Sequence, residues 1–493
     1  ARAGGAGYGD TISRMGYDLH ALGDGSAAAF EAMLLAMLDA APERALTFQA
    51  LTMVQATTFS AGFLVRVLEL LRPQITDAES RGALLNNLAG HLSDLGRREA
   101  ALEAAEEAVA LYRDLAAARP EAFTPNLAGS LNNLASFLSA LGRREEALGA
   151  AEEAVALYRD LAAARPEAFT PDLATSLNNL AAFLSGLGRR EEALEAAEEA
   201  VALYRDLAAA RPEAFTPDLA RSLNTLANRL SALGRREDAL GAAEEAVALY
   251  RDLAAARPEA FTPDLAGSLN NLASVLSGLG RREEALEAAE EAVVLYRDLV
   301  AARPEAFTPD LAMSLNTLAN RLSALGRRED ALGAAEEAVA LYRDLAAALP
   351  QAFTPDLAGS LNNLASFLSN LGRREEALGA AEEAVVLYRD LVAARPEAFT
   401  PNLAMSISVL SDMHRDLGDH ARCREACLEA AALLAPFTAR HPDAHGGLFG
   451  QILKDYAAAC AALGEAPDMG RLAPLLAEAG VAPANQSRTG VEP

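Results

Sequence analysis

Two cysteines and two histidines stand at a spacing that metal ligands could use, Cys423-x3-Cys427 followed by His441-x3-His445. Thiolate and imidazole sets of this kind hold zinc. In register with the repeats described below, however, Cys423 replaces the small residue Ala147 and Cys427 replaces Ala151. Both are therefore expected to be buried as small apolar side chains, with the histidines beyond the end of the same helix. No metal and no cofactor is expected. A phosphate-binding loop needs Gly-Lys-Ser/Thr, and the only lysine, Lys454, follows Leu453. Glu152 and Glu153 recur without a base or metal partner and read as a solvated charge run, and residues 124–399 contain no histidine. No enzymatic chemistry is expected.

The recurring side chains with useful chemistry are amides: Asn86, Asn132, Asn178, Asn224, Asn270, Asn316 and Asn362, each 46 residues from the last. An amide offers both donors and an acceptor, which suits gripping the backbone of an extended peptide without reading its side chains. The alternative is hydrogen bonding between successive repeats, with no ligand. Arg221, Arg229 and Arg321 are further candidate contacts, for acidic groups.

The elements that must position these residues follow the same 46-residue interval. Leu-Gly-Arg-Arg-Glu recurs around Gly96, Gly142, Gly188, Gly234, Gly280, Gly326 and Gly372, and Gly418 and Gly464 keep the step in more divergent surroundings. Self-similarity at such a period means a stacked array of small units, so the length of 493 residues does not count globular domains. In unit 124–169, Thr124-Pro125 supplies a helix-capping hydroxyl and a first-turn proline. Helix A is expected from about Pro125 to Ala140, Gly142 breaks it, and helix B runs from about Arg144 to Ala164 until Pro166 stops it. Leu127, Leu131, Leu134, Ala135, Leu138 and Leu141 share one face of helix A, and Gly129, Asn132, Asn133, Ser136 and Ala140 lie opposite. Helix B presents Ala147, Leu148, Ala151, Ala154, Val155, Tyr158, Leu161 and Ala162. One hairpin cannot bury so much apolar surface, but stacked hairpins can.

The expected organisation is an irregular lead-in (1–25), a degenerate N-terminal helical cap (26–77), seven near-identical repeats (78–399), a diverged eighth repeat (400–445), C-terminal capping helices (446–483) and a disordered tail (484–493). The net charge of −26 repels phosphate, so nucleic acid and anionic membranes are not expected as partners. The most apolar stretch, Phe59 to Leu71, is short and interrupted by Arg66 and Glu69, too little to span a bilayer. Three cysteines near the C-terminus make no disulfide framework and fit a reducing cytoplasm. Abundant Arg, Ala, Gly and Pro with a single Lys point to GC-rich coding and a bacterial source. A chain that begins at Ala1 is expected to be part of something larger.

These residues resemble the tetratricopeptide repeat. Its large–small–large pattern in helix A, glycine at the turn and two small residues in helix B are met by Leu134, Ala135, Leu138, Gly142, Ala147 and Ala154. The string Leu131 to Ala135 is similar to the longer repeats of kinesin light chains and bacterial signalling proteins. One departure is Arg159, which stands where the family's helix-ending proline is usual. The stop comes at Pro166, two turns later. The resemblance implies an all-α, right-handed solenoid with helix A lining a concave groove and helix B the convex back. It also implies a groove that binds extended peptides or another protein, in some relatives as the sensor of a signalling ATPase.

Where the copies differ adds a location. The Gly129-type position reads Gly, Thr175, Arg221, Gly267, Met313, Gly359; the Ser136 type reads Ser, Ala182, Asn228, Ser274, Asn320, Ser366; the Phe137 type reads Phe, Phe183, Arg229, Val275, Arg321, Phe367. Exposed helix B positions such as Glu152, Glu153, Arg159 and Asp160 do not vary across 124–399. The pattern suggests diversification of a binding face, although units 216–261 and 308–353 share enough residues to be a duplicated block. The expected function is a non-enzymatic scaffold that binds a protein or peptide, the sensor or interaction part of a larger cytoplasmic bacterial signalling protein. The alternative is a structural array that works by stacking or self-association, with no groove ligand.

Overall fold

In the computed structural model, residues 61–480 are described, and among them the secondary structure is nineteen α-helices and no strand. The expected lead-in, residues 26–60 of the expected cap and the tail lie outside the described residues. After α1 (Ala61–Leu71) the chain alternates two kinds of helix. The A helices are α2 (Ala78–Asp94), α4 (Pro120–Ala140), α6 (Pro166–Gly186), α8 (Pro212–Ala232), α10 (Pro258–Gly278), α12 (Pro304–Ala324), α14 (Pro350–Asn370), α16 (Pro396–Asp416) and α18 (Pro442–Ala462). The B helices are α3 (Arg98–Ala118), α5 (Arg144–Ala164), α7 (Arg190–Ala210), α9 (Arg236–Ala256), α11 (Arg282–Ala302), α13 (Arg328–Ala348), α15 (Arg374–Ala394) and α17 (His420–Arg440). The last helix is α19 (Met469–Glu478). The architecture is the expected all-α solenoid of antiparallel hairpins.

The turn from A to B is set by glycine. Gly96 and its equivalents to Gly464 adopt φ of 71° to 81°, a left-handed conformation that a Cβ disfavours. At the first turn the N–H of Arg97 reaches Leu92 O at 2.8 Å and that of Gly96 reaches Ser93 O at 2.8 Å. This is the helix-ending motif in which two late carbonyls regain donors.

The turn from B to the next A differs from the sequence expectation. Helix A does not open at Thr-Pro. It opens five residues earlier, at Pro166 and its equivalents, and Pro171 lies inside the helix. A single residue therefore makes the corner: Arg211, for example, has φ −141° and ψ 77°. Pro166 fits the first helical position because its fixed φ is helical and no N–H is needed there. The arginine at the corner stacks on the phenylalanine four residues later, with Arg211 4.7 Å from the Phe215 ring and Arg257 4.7 Å from Phe261. The threonine hydroxyl does not cap from outside; it bonds back within the helix, Thr308 Oγ1 to Pro304 O and Thr400 Oγ1 to Pro396 O, both 2.7 Å. The Glu-Ala-Phe segment, which reads as loop, is thus the first turn of helix A.

The chain divides into two compact units, residues 1–141 with 146–166, and residues 142–145 with 167–493. In the first, α1 buries Phe63, Leu64, Val67 and Leu71 in one cluster with Leu85, Leu88, Ala101 and Ala105. In the second, the hairpin interfaces are alanines with no exposed surface, such as Ala243, Ala246, Ala289 and Ala335, which let helix axes approach closely. Within this unit, A helices from α8 to α18 each pack on the next A helix, whereas B helices meet closely only at α17 and α19. Helices A therefore line the tighter, inner side of the stack, and helices B the outer side.

Cys423 and Cys427 sit where register placed them. Cys423, Cys427 and Cys460 are free and buried in one core with Leu434, Phe449 and Tyr456. His445 lies edge-on to Phe437, with ring centroids 6.1 Å apart. Among the described residues no three His, Cys, Asp or Glu side chains converge as metal ligands would.

Candidate interaction surface

On the A helices of the second unit one line of residues stays open on the inner side. In α6 it includes Asp172, Thr175, Ala182 and Gly186; in α8, Arg221 and Asn228; in α12, Met313 and Asn320. The 46-residue period sets these lines side by side. The floor beneath them is a tyrosine from helix B of the same repeat. Tyr204, Tyr250, Tyr296 and Tyr388 each donate a hydroxyl to the carbonyl of the helix A proline, Pro171, Pro217, Pro263 and Pro355, at 3.2 to 3.3 Å. Burial raises the pKa of these phenols, so they remain neutral donors.

The Gly129-type position lies directly over that hydroxyl. A Cβ on Gly129 would sit 3.4 Å from Tyr158 Oη, and one on Gly267 3.4 Å from Tyr296 Oη. What covers the phenol therefore changes from copy to copy. Thr175 Oγ1 meets Tyr204 Oη at 2.6 Å. Arg221 bonds Asp218 Oδ1 at 2.8 Å, and Met313 is 47% exposed. Beside these groups burial pushes the carboxyls of Asp172, Asp264 and Asp310 above the usual range, with Arg221 opposing at Asp264.

The asparagine row stands one residue away from this open line, at the seam between successive A helices. Ser222 Oγ donates to Asn178 Oδ1 at 3.0 Å, Ser268 to Asn224, Ser314 to Asn270 and Ser360 to Asn316 at 3.1 Å, and Ser406 to Asn362 at 2.9 Å. In the first unit the amide is turned the other way, Asn86 Nδ2 donating to Ser130 Oγ at 2.7 Å, and Asn132 is half-buried. Asn270 and Asn362 are only 6% exposed, and their Nδ2 atoms are buried without a partner. The helical wheel placed the row on the open polar face; the structure places it in an inter-repeat ladder. The neighbouring residues Asn133, Asn179, Asn271 and Asn363 are the amides nearer the open line, and sequence reasoning passed over them. The missed signal was the invariant serine 44 residues after each row asparagine, two residues before the next one.

The three candidate arginines part company. Arg221 is on the open line, but Arg229 and Arg321 are half-buried in the seam. They reach back to the preceding A helix, Nη1 to Ala181 O at 3.3 Å and to Ala273 O at 3.2 Å.

The outer side is not merely a solvated charge run. Arg205, Arg251, Arg297, Arg343 and Arg389 each pair with a glutamate 40 residues on, in the next B helix, at 2.6 to 2.7 Å. Arg113 and Glu153 make the same pair in the first unit at 2.7 Å. The groove between α13 and α15 holds a cavity of about 320 Å³ over Leu361, Leu364 and Leu368, and the Arg343–Glu383 pair is among its lining residues. No described helix is long and apolar enough to cross a membrane.

No curated protein matches the sequence. Among solved structures, the crystal structure of BtubC (BKLC) from P. vanneervenii is 22% identical, covering 50% of this chain and 91% of that one with a TM-score of 0.41. A putative kinesin light chain of Podosopora anserina with nearly identical TPR-like repeats, in two crystal structures, is 24% identical, covering 44% of this chain and 96% of that one, with TM-scores of 0.36 and 0.35. Models of the tetratricopeptide repeat match residues 82–116, 126–206, 172–252, 265–302, 311–346 and 357–394, the stretches in which the hairpins, glycine turns and buried alanines described above recur, and the chain belongs to the tetratricopeptide repeat family.

Proposed function

We propose that this repeat scaffold binds an extended protein segment along the open line of its A helices, and that it does no chemistry of its own. The observation that carries the reading is the coincidence of exposure with variation. The Gly129-type and Ser136-type residues differ between copies and lie open on the A helices, the former over the tyrosine hydroxyls. Half-exposed members of the asparagine row, Asn178, Asn224 and Asn316, add amide groups at the edge of this line. Arg221 adds a charge. The wider setting that fits such a scaffold is the interaction or sensor part of a larger bacterial signalling protein in the cytoplasm.

The test is to erase the differences between copies. In the full chain, Thr175, Arg221 and Met313 are changed to glycine, and Asn228 and Asn320 to serine, residues that Gly267 and Ser274 already provide at the same register. Proteins captured from source lysate by the parent should be lost by the variant while it remains fully folded at the assay temperature, the three glycines costing about 0.5–1 kcal/mol each. Capture of the same proteins in the same amounts would overturn the reading. It would favour a structural array in which the outer ladder and the stacking are the function.

A further inference from the structure

One position near the end of each A helix decides how a repeat closes on the one before it. In the second unit Val275, Phe367 and Met413 are 3%, 6% and 4% exposed. Each inserts into the apolar core of the preceding hairpin: Val275 with Leu230 and Ala239, Phe367 with Leu322 and Ala331, Met413 with Leu368 and Ala377. At the same register α8 and α12 carry Arg229 and Arg321. A guanidinium cannot take the place of that plug.

The arginines settle for one weak contact each, the backbone carbonyls of Ala181 and Ala273. The Nε atom of each is buried with no partner, and among the described residues neither pairs with a carboxylate. Burial pushes both guanidinium groups down from their usual pKa, with nothing nearby to oppose it. A missing apolar plug and a desolvated, uncompensated charge both weaken an interface. In a stack held together by nearest neighbours, the weakest interface opens first.

We infer that the seams closed by Arg229 and Arg321 are built-in hinges, and that α8–α11 is a cooperative two-repeat block free to open at both ends. Val275 closes the seam inside this block, so its two hairpins move together. Beyond the second hinge, the hairpins from α12 onward are joined by the apolar plugs Phe367 and Met413.

Native-state hydrogen exchange of the full chain, read by mass spectrometry, tests this. The A helices carry the readout, since α9 and α13 are identical in sequence: Arg221 in α8, Val275 in α10, Met313 in α12 and Phe367 in α14 make their peptides distinguishable. Amides of α8 and α10 should exchange at least about tenfold faster than those of α12 and α14, a difference that a modest seam defect produces. The paired variant R229M/R321M, which installs the side chain already native at Met413, should slow exchange in α8 and α10 toward the rate in α12 and α14 and raise the denaturation midpoint. Equal protection of the two blocks in the parent would overturn the inference. So would a variant whose midpoint falls or whose block exchanges no more slowly.

Discussion

The inner and outer sides of the second unit are built from the same repeat yet have diverged to different degrees. Helices B are nearly identical from copy to copy, and the pairs from Arg205–Glu245 to Arg389–Glu429 show what the identical charges do: each ties one B helix to the next where the helices themselves do not pack closely. Helices A differ, but in two separate ways. The Gly129-type and Ser136-type differences change an open face, whereas the Phe137-type differences change a seam. Invariance on the outside therefore has a structural cause of its own and is no neutral yardstick for drift on the inside. Variation inside is evidence for recognition only at positions that do not also close the stack.

The largest expected effect contrasts the packed and open faces of helix B. Ala289 in α11 has no exposed surface, and Ala289→Leu should destabilise by about 1–3 kcal/mol or more through overpacking. Ala340→Val on the outer side of α13 should be nearly silent, since Val294 and Val386 occupy that register natively at 57% and 55% exposure. Urea denaturation reads both, and similar losses would erase the contrast. Next in size is the ladder. Ser314→Ala strips the buried Asn270 oxygen of its donor and should cost about 1–3 kcal/mol. The double variant N270A/S314A should recover part of this, because no polar group is then left unpaired.

The open face should respond to pH. Asp264 and Asp310 have carboxyls raised by burial, so the folded chain holds those protons more tightly than the unfolded chain. Their contribution to stability is then complete below the ordinary carboxylate range and is lost as pH rises through the folded pKa values. Asp264→Asn with Asp310→Asn should accordingly raise the thermal midpoint at pH 7, and the gain should vanish below about pH 4. A variant less stable than the parent at pH 7 would mean that those carboxylates are held by partners. The smallest effect is expected outside. The charge-neutral pair R297Q/E337Q should shift stability by no more than about 1 kcal/mol, less in high salt, because both groups are about half exposed.

Much of this was legible in the sequence. Glycine at a fixed interval, alanines facing leucines and the length of helix B all survive translation into structure, because each reflects a local rule repeated many times. The burial of Cys423 and Cys427 was legible by register alone. The start of helix A was not: Thr-Pro and Pro-Glu are both good openings, and the choice fell to the earlier one once Arg211 could stack on Phe215 and the corner closed in a single residue. For the asparagine row, peptide contact and inter-repeat bonding were both readable from the amide's chemistry. A helical wheel sets Asn178 and Asn179 side by side, and it says nothing of where the next helix A stands. The same blindness set Arg221 beside Arg229 and Arg321 as one group, when one faces the open line and two lie in the seam.

The sequence by itself determined the hairpin, its period and which residues are small enough to let helices meet, since those follow from propensity, turn chemistry and apolar spacing within some 46 residues. Only the tertiary structure decided which polar residues face a partner and which face the next repeat. That distinction depends on the rotation of one hairpin on another, and the rotation is set by packing between units, which no single unit encodes.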